Sequence, residues 1–460
     1  MEGIADIENR GRSDRPVSDY LTALRALDNA GIEWCAIGGY HELPARVSTD
    51  LDIVVSPADF ARAKAVIRAI TTLRIVQEKR YAPHGRAITF GNREATNISD
   101  YAVLDILGED IYADLGADIF SPQDVLSCRH LAQSDIWVTA PDIEFVIYLA
   151  KRIAKSMALV SEEALGPAQT DVLTSLFREA PYACRERLTE LFPEPHVELI
   201  SHAAERGDWS EVTQQIGDVR RMMKRRIGLR GPFNIFMRKI QNMLRLIGRV
   251  HRPNGLMIAI LGPDGAGKTL LQRNLLVRIG PLFDLHFFHH LRPNFVRYDD
   301  TLPKVTVTDP HGRPVRGTVL SLAQLAYWVL IYTFGYWFRL YPMLVRQSLL
   351  VFDRYHIDLV CDPKRYRYGG PGWVARLVIA ILPGPDIYLV LDAPVEILQA
   401  RKAEVPLKES DEQRRRYRQL VATRKNCLLI DASRPADDVA DLATEGVLNF
   451  MANRCRATGA

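Results

Sequence analysis

The stretch LMIAILGPDGAGKTLLQRNLLVRI, residues 256–279, contains the most informative pattern in the chain. Its first six residues are continuously apolar, as expected for a buried strand of a parallel sheet. Its last ten residues have the composition of a helix, and a turn with three glycines lies between the two. A buried strand, a glycine-rich turn and a helix in this order predict an α/β domain.

The turn reads GPDGAGKT and has the pattern G-x-x-x-x-G-K-[ST] of a phosphate-binding loop (P-loop). Glycines let the backbone approach a phosphate, and backbone N–H groups and the start of the helix supply positive partial charge. In such a loop the lysine reaches the β- and γ-phosphates of ATP, and the threonine hydroxyl binds Mg²⁺. The residues predicted to bind MgATP are Gly262, Asp264, Gly265, Ala266, Gly267, Lys268 and Thr269.

Three further apolar runs, each ending in aspartate, follow the loop. They are LLVFD (349–353), DIYLVLD (386–392) and CLLID (427–431). These runs predict more buried parallel strands, and therefore a P-loop NTPase sheet of the nucleotide-kinase type. Because an acid at the carboxyl end of such a strand lies beside the phosphate loop, Asp353 is expected to hold Mg²⁺ or its water.

A charged segment, RKAEVPLKESDEQRRRYR (401–418), lies between the last two of these runs. Positioned arginines stabilise negative charge on a transferring phosphoryl group, and Arg401, Arg414 and Arg415 are the candidates here. The alternative is a solvated surface helix, since runs of charge usually lie on the surface.

Residues 255–452 resemble the thymidylate kinase superfamily. The matching motifs are GPDGAGKT, the D-R-Y of 353–355, the P-G-P-D-I-Y-L-V-L-D of 383–392, the R-K of 401–402 and the I-D-A-S of 430–433. The resemblance implies a nucleotide kinase, an enzyme that uses MgATP to convert a nucleoside monophosphate into the diphosphate and ADP.

Several residue roles follow from this resemblance alone. Lys268, Asp353 and Arg354 become the catalytic residues, and Arg354 is expected to contact the phosphates between donor and acceptor. Residues 402–416 become a lid. Arg292, in the sequence HLRP, stands where the family has the arginine that binds the acceptor phosphate.

Two family stretches are absent: T-R-E-P-G-G after the second strand, and the S-x-x-A-Y-Q after D-R-Y that helps to read thymine. The chain has KRYRYGG (364–370) in the second region. This segment either binds an anionic acceptor or forms a surface loop. The acceptor therefore stays open between thymidylate, another nucleotide, and a phosphorylated or hydroxylated metabolite.

Residues 317–338 contain no charged side chain over 22 positions. That length is enough to span a bilayer. The stretch also contains glutamine, serine, threonines and tyrosines, and it lies between two strands of one predicted sheet. We therefore expect a buried helix of the kinase domain rather than a transmembrane segment.

A second constellation lies near the N-terminus, in EWCAIGGYHELPARVSTDLDIVV (33–55). Gly38 and Gly39 follow a predicted strand, and Asp50 and Asp52 lie on the next. Alternation along a strand puts both carboxylates on one face, about 7 Å apart, where they can bracket divalent metal. Asp105 lies on a plausible neighbouring strand. The alternative is a surface D-x-D that caps a loop.

This pattern of G-G, spacer, D-x-D and a third strand aspartate resembles the nucleotidyltransferase superfamily over residues 17–130. The resemblance implies that Asp50 and Asp52 bind Mg²⁺, that Asp105 assists or acts as a base, and that Gly38 and Gly39 approach a nucleotide triphosphate. Arg46, Ser48 and Thr49 are also similar to the family's approach to the acids.

Between the two patterns the spacing of apolar residues predicts helices over 140–209. A basic stretch without acids follows, from Val219 to Pro263. We interpret 220–252 as a basic amphipathic linker helix; the alternatives are contact with a membrane surface or a polyanion.

The chain has 460 residues, more than a single core usually supports, so two or three domains are expected. We predict a nucleotidyltransferase-like α+β domain (1–135), a helical segment (136–215), the basic linker (216–254) and a thymidylate kinase-like domain (255–460). The net charge of +4 is small for this length and does not indicate a specific nucleic-acid partner. Six scattered cysteines and a polar start without an apolar segment predict a cytoplasmic protein with reduced thiols.

The sequence thus predicts an ATP- and Mg²⁺-dependent phosphotransferase that acts on a small, phosphate-bearing acceptor, with a second nucleotidyltransferase activity in the N-terminal domain as an open question. One alternative is that the main chemistry is nucleotidyl transfer to a sugar, antibiotic or protein hydroxyl. Another is a non-catalytic regulatory protein that binds ATP as a signal.

Overall fold

The computed structural model describes residues 17–43, 45, 47, 50–82, 84–92, 100–111, 119–132, 135–155, 165–228, 236, 240, 243, 247–291, 314–402 and 406–458. These residues form two compact units, one within 17–247 and the other within 248–458. Each unit has its own sheet and its own buried core. The predicted domain boundaries at 135, 215 and 254 stay predictions.

The second unit is built on a parallel sheet with the strand order β12-β11-β8-β10-β9. Its strands are β8 (Leu256–Leu261), β9 (Leu285–His290), β10 (Ser348–Asp353), β11 (Ile387–Asp392) and β12 (Cys427–Asp431). All four strands expected from the sequence are present. Strand β9 was not expected, because LHFFHH is neither a continuous apolar run nor a regular alternation; it lies at one edge of the sheet, where its described side chains are not fully buried.

Helices flank this sheet. They are α10 (Lys268–Ile279), α11 (Thr318–Gly335), α12 (Tyr341–Val345), α13 (Asp358–Cys361), α14 (Gly372–Ile381), α15 (Val395–Arg401), α16 (Leu407–Thr423) and α17 (Ala436–Thr458). One core cluster joins β8, β10 and β11 to α11, α12, α14 and α16. Helices α10 and α17 pack against each other and do not belong to that cluster. The resulting mixed α/β architecture is the predicted one.

The uncharged stretch forms α11 and the start of a π-helical turn at Tyr336–Leu340, and α12 follows that turn. By length and composition, residues 318–345 are apolar enough to cross a membrane, but this test alone does not separate core helices from membrane segments. The expectation of a buried helix was only half right. One face, with Leu325, Trp328 and Tyr332, is buried in the core of the sheet, whereas the opposite face is exposed because α11 belongs to the outer helical layer.

The first unit contains a mixed sheet with the strand order β3-β4-β5-β2-β1-β7-β6. Its strands are β1 (Trp34–Gly38), β2 (Leu51–Val55), β3 (Leu73–Ala82), β4 (Gly85–Asn92), β5 (Ala102–Leu107), β6 (His130–Leu131) and β7 (Trp137–Val138). Strand β1 pairs antiparallel with β2, and β2 pairs parallel with β5. The sequence did not predict β3, because charged residues interrupt the alternation in LRIVQEKRYA; this strand is held by its long hairpin with β4.

The helices of the first unit cover both faces of this sheet. They are α1 (Val17–Asn29), α2 (Phe60–Ala69), α3 (Pro122–Ser127), α4 (Pro141–Lys155), α5 (Pro167–Glu179), α6 (Pro181–Leu191), α7 (Glu194–Arg206), α8 (Ser210–Gln214) and α9 (Ile216–Gly228). Helices α1 and α2 pack on one face, and the helices from α3 onward share a core with the other. The helical pattern expected over 140–209 is therefore present. Most of the basic stretch after Gly228 lies outside the described residues.

Candidate active site

The glycine-rich turn joins the carboxyl end of β8 to the first residue of α10. Gly262, Gly265 and Gly267 have φ angles of 143°, 82° and 90°, a region that residues with a side chain rarely adopt. A Cβ atom on Gly262 would lie 2.5 Å from the carbonyl oxygen of Leu391, and one on Gly265 would lie 2.7 Å from that of Leu398. The backbone path of the loop therefore requires glycine at both of these positions.

Lys268 is buried beneath this loop. Its Nζ donates hydrogen bonds to the carbonyl oxygens of Gly262 (3.0 Å) and Pro263 (2.8 Å). Burial, and secondly the nearby charge of Arg354, lower the pKa of Lys268 to about 8. The ammonium of Lys268 is thus held inside the loop by two carbonyl oxygens of the loop itself.

Arg354 is a buried arginine in an uncommon backbone conformation. Its φ is 66°, in the left-handed region, which costs a residue with a side chain about 1 kcal/mol or more. Its N–H donates to the carbonyl oxygen of Ile260 on β8 (3.0 Å). The guanidinium donates from Nη1 to Asp358 Oδ2 (2.8 Å) and from Nη2 to Asp264 Oδ1 (2.5 Å). The backbone turn therefore directs the Arg354 side chain from the end of β10 to Asp264 of the glycine-rich loop.

Asp264 lies at the centre of this arrangement. Besides Arg354, it accepts a hydrogen bond from Arg365 Nη1 (2.6 Å), and Lys268 Nζ is 3.7 Å from its Oδ1. Although burial alone would raise the pKa of Asp264, the charges of Arg354, Lys268 and Arg365 hold it well below the usual range. Three cations thus converge on one carboxylate within the glycine-rich loop.

A second buried carboxylate, that of Asp358, also binds the Arg354 guanidinium. Asp358 accepts hydrogen bonds from Arg354, from Tyr366 Oη (2.7 Å) and from Tyr417 Oη. The sequence did not identify these partners. Asp358 follows Arg354 by four residues, a spacing that could have suggested contact, but nothing in the sequence links Tyr417 to this site.

Asp353 and Thr269, the predicted Mg²⁺ ligands, belong to adjacent elements. Asp353 ends β10 and is the parallel partner of Ile260, two residues before Gly262; Thr269 is exposed in the first turn of α10. Among the described residues no group of three or more His, Cys, Asp or Glu could hold a metal by itself. Mg²⁺ bound to phosphates usually takes only one or two protein oxygens, so the chemistry of an Asp353 carboxylate and a Thr269 hydroxyl is of the kind such an ion takes.

The predicted lid arginines contact residues outside the glycine-rich loop. Arg401 donates to the carbonyl oxygen of Ala432 (2.8 Å), Arg414 pairs with Asp392 (2.8 Å), and the exposed Arg415 pairs with Asp411 (2.7 Å). Most of the segment that contains them forms helix α16. Arg292, the predicted acceptor residue, lies outside the described residues. A lid role for this segment stays a prediction.

A cavity of about 460 Å³ opens next to Arg365. It is lined by Arg316, Leu320, Gln324, Tyr327, Trp328, Arg365, Tyr366 and Arg367. Arg316 donates to the side chain of Gln324 (2.6 Å), and Arg367 donates to the carbonyl oxygen of Pro314 (2.9 Å). Within the described part of the chain neither forms an ion pair, so both charges are available to an anionic ligand. Arg365 and Arg367 belong to the KRYRYGG segment that the sequence singled out.

The first unit brings the N-terminal candidates together. Asp52 pairs across the antiparallel strands with Gly38, and it is the parallel neighbour of Asp105. A Cβ on Gly39, whose φ is 79°, would lie 2.1 Å from the carbonyl oxygen of Asp50. The two glycines thus allow the close approach of the acidic segment. Arg46, Ser48 and Thr49 lie outside the described residues.

Asp105 is the most perturbed carboxylate of this group. Burial, followed by the negative charges of Asp52 and Asp50, raises its pKa to about 8. Its Oδ1 is buried and, among the described residues, has no hydrogen-bond partner. Asp52 also forms an ion pair with Lys151 of α4 (2.6 Å). The sequence did not identify Lys151, which reaches the strands from the helical segment.

Comparison with known proteins adds little to this geometry. No family model and no curated protein matches the chain. Among solved structures, a thymidylate kinase from Ehrlichia chaffeensis aligns with 14% sequence identity and a TM-score of 0.27. The alignment covers 41% of this chain and 95% of that kinase. Any function of this chain must therefore be argued from the contacts within it.

Proposed function

We propose that the second unit is an ATP-dependent phosphotransferase of the nucleotide-kinase type. The observation that carries this proposal is the convergence of Lys268, Arg354 and Arg365 on the glycine-rich loop, around the carboxylate of Asp264. Such a cluster at the start of a helix is suited to polyphosphate, because the backbone and the side chains both present positive charge.

In the proposed reaction an acceptor oxygen attacks the γ-phosphorus of ATP. The bond from phosphorus to the β–γ bridging oxygen breaks, and ADP leaves with the electron pair. Lys268 and Arg354 stabilise the charge that develops on the transferring group, and Thr269 and Asp353 position Mg²⁺ on the phosphates. A phosphate-bearing acceptor is already an anionic nucleophile, so positioning and electrostatics suffice and no general base is needed.

The cavity beside Arg365 is the proposed acceptor site. Its three arginines suit an anionic group, and Tyr327 and Trp328 offer aromatic surface to the rest of the molecule. Arg365 connects the two halves of the site, since it lines the cavity and also donates to Asp264 of the phosphate loop. We therefore propose a small acceptor with a phosphate group.

A product assay tests the function directly. Purified protein is incubated with MgATP and a panel of nucleoside monophosphates, including thymidylate, and of sugar phosphates, and products are identified by mass spectrometry. We expect a phosphorylated product with at least one acceptor, and at least about a hundredfold lower turnover for Lys268→Ala. Lys425→Ala, which removes an exposed lysine distant in sequence from the site, is the matched control. Tight ATP binding without any product would instead favour the regulatory alternative.

We propose nucleotidyl transfer as a second candidate function, for the first unit. The observation that favours it is Asp105, a buried carboxylate with an unpartnered oxygen beside Asp52. Two neighbouring carboxylates, together with the phosphates of a nucleoside triphosphate, are oxygen donors of the kind that a divalent metal takes, and such a metal would align the triphosphate for the loss of pyrophosphate. The acceptor proposed here is a hydroxyl of a sugar, an antibiotic or a protein.

Pyrophosphate release separates the two activities. With each of the four nucleoside triphosphates, we expect Asp52→Asn to abolish pyrophosphate formation and Lys268→Ala to leave it unchanged. Asp171→Asn, at an exposed position on α5, controls for the loss of one surface charge. Pyrophosphate formation that survives Asp52→Asn would refute the assignment of this site.

A further inference from the structure

The second unit exposes an unusually large set of apolar side chains on one side. We call this surface the apolar face; it consists of Val319, Leu320, Leu322, Tyr327, Leu330 and Phe334 of α11, Trp337 and Phe338 of the π-helical turn, and Trp373, Leu377 and Ile381 of α14. Val319, Phe338 and Ile381 are each at least 70% exposed. Single exposed apolar residues are common on proteins, but a contiguous group of this size usually marks an interaction surface.

The two helices that form the apolar face cover the same side of the sheet. Both α11 and α14 bury their inner residues in one core cluster, so their outer residues point away from the sheet together. On α14 the exposed residues are spaced by four and alternate with the buried Ala375 and Ile379. Because the inner faces are needed by the core, the helices cannot leave the sheet to cross a bilayer and can only lie along its surface.

The two segments that contain the apolar face carry charges of a single sign. There is no acidic residue between 310 and 352 or between 363 and 385, whereas these two segments contain eight lysines and arginines. Arg346, just after α12, and Arg376, in the middle of α14, are both exposed. A second copy docked symmetrically on this face would bring arginine against arginine, while an anionic surface would complement them.

The composition of the face also suits a lipid surface. Trp337, Trp373 and Tyr327 are amphipathic aromatic residues, which are enriched where proteins meet the membrane–water interface. Helices that lie in the plane of this interface combine such residues with basic ones and penetrate only about 5–10 Å. Apolar area and positive charge are therefore present together, as this mode of binding needs.

We propose that the apolar face docks the second unit on an anionic lipid bilayer, with α11 and α14 lying in the interfacial plane. Leu320 and Tyr327 belong both to the apolar face and to the lining of the cavity beside Arg365. Docking therefore brings the mouth of that cavity to the lipid surface. The docking itself requires neither ATP nor turnover. Its test is therefore independent of the proposed phosphotransfer.

Co-sedimentation with lipid vesicles tests the proposal. The full chain is mixed at low salt with vesicles of equal parts phosphatidylglycerol and phosphatidylcholine, and with vesicles of phosphatidylcholine alone. We expect binding to the anionic vesicles, and at least about tenfold weaker binding for the triple variant Leu330→Gln, Trp373→Ser, Leu377→Gln. Val277→Gln with Tyr182→Ser replaces exposed apolar residues outside the face and serves as the control.

A charge variant tests the same docking even if the triple variant misfolds. Arg346→Gln with Arg376→Gln keeps every apolar contact, and it should weaken binding at low salt but have little effect at high salt, where screening already removes the attraction. Lys268→Ala should bind vesicles like the unmodified chain, which separates docking from catalysis.

Three results would overturn the proposal. The first is the absence of binding to anionic vesicles. The second is binding that the face variants leave unchanged, which would assign it to the basic stretch at 220–252. The third is a dimer in light scattering that the triple variant dissociates, without any vesicle binding, which would make a second copy the occupant.

Discussion

Asp264 is surrounded by positive charge from three different parts of the second unit. Lys268 follows it in the loop, Arg354 comes from the end of β10, and Arg365 comes from the segment that precedes α14. A buried cation without a counter-charge is costly, so the carboxylate holds three cations at positions they could not otherwise share. Asp264 is therefore the carboxylate that these three cations share, while Asp358 binds Arg354 as well.

Substitution of Asp264 by asparagine tests the effect of this shared carboxylate on stability. We expect the free energy of unfolding to fall by about 3 kcal/mol without ligand, because Lys268 and Arg365 lose the carboxylate they share and Arg354 keeps only Asp358. Saturating MgATP should restore part of the loss, since its phosphates bring negative charge to the same cations. Thermal unfolding with and without MgATP measures both effects. Asp441→Asn, at a half-exposed ion pair with Arg278, should change stability by less than about 1 kcal/mol.

The lowered pKa of Lys268 gives a pH signature. Its pKa is about 8 in the folded chain and higher when unfolded, so between these values the unfolded chain binds more protons. This group therefore makes the unliganded protein more stable as pH rises from about 8 towards 10. ATP affinity should fall over the same range, because the ammonium loses its charge.

The comparison with Lys268→Met isolates this contribution from the other groups that titrate in the same range. We expect the difference in unfolding free energy between the two proteins to change with pH only above about 8. A constant difference from pH 7 to 10 would show that Lys268 is not perturbed by burial.

At the scale of elements, α11 has a buried face and an exposed face that are both apolar. Its inner residues recur at intervals of three and four, and the aromatic ring of Trp328 packs against those of Tyr332 and Tyr366. Its outer residues are equally apolar but are exposed. The sequence therefore gives no periodicity from which the exposed face could be recognised.

Two tryptophan substitutions, one at a buried and one at an exposed position, measure the difference in stability contributed by the two kinds of surface. Trp328→Ala removes a buried ring from the core and should lower the free energy of unfolding by about 3–5 kcal/mol. Trp373→Ala, at a position 65% exposed, should change it by no more than about 0.5 kcal/mol. Urea unfolding followed by circular dichroism gives both values. Equal losses would mean that Trp373 is covered in solution.

Across the whole molecule, the sequence predicted what depends on neighbouring residues and missed what depends on distant ones. Strands β8, β10, β11 and β12 were predictable because each is a short, continuous apolar run. The glycine-rich turn was predictable because its spacing reflects its backbone path. Strands β3 and β9 were not, since pairing rather than composition determines them.

In the candidate sites, too, the residues within motifs were predictable and the partners from distant parts of the sequence were not. Lys268, Arg354 and Asp264 lie within motifs, whereas Tyr417 and Lys151 reach their sites from helices more than 60 residues away in sequence. The contacts of Arg401, Arg414 and Arg415 could not be predicted either, because an arginine-rich segment does not reveal which carboxylates it will meet. Composition indicates that a charge is present, but only the fold determines its partner.

The distribution of tryptophans has a practical consequence. Trp34, Trp209 and Trp328 are buried, Trp137 is partly buried, and the two exposed tryptophans, Trp337 and Trp373, both lie on the apolar face. Quenching of intrinsic fluorescence by iodide or acrylamide will therefore come mainly from this one surface. The chain carries a built-in optical reporter there, and anything that covers the face can be followed by its emission without a label.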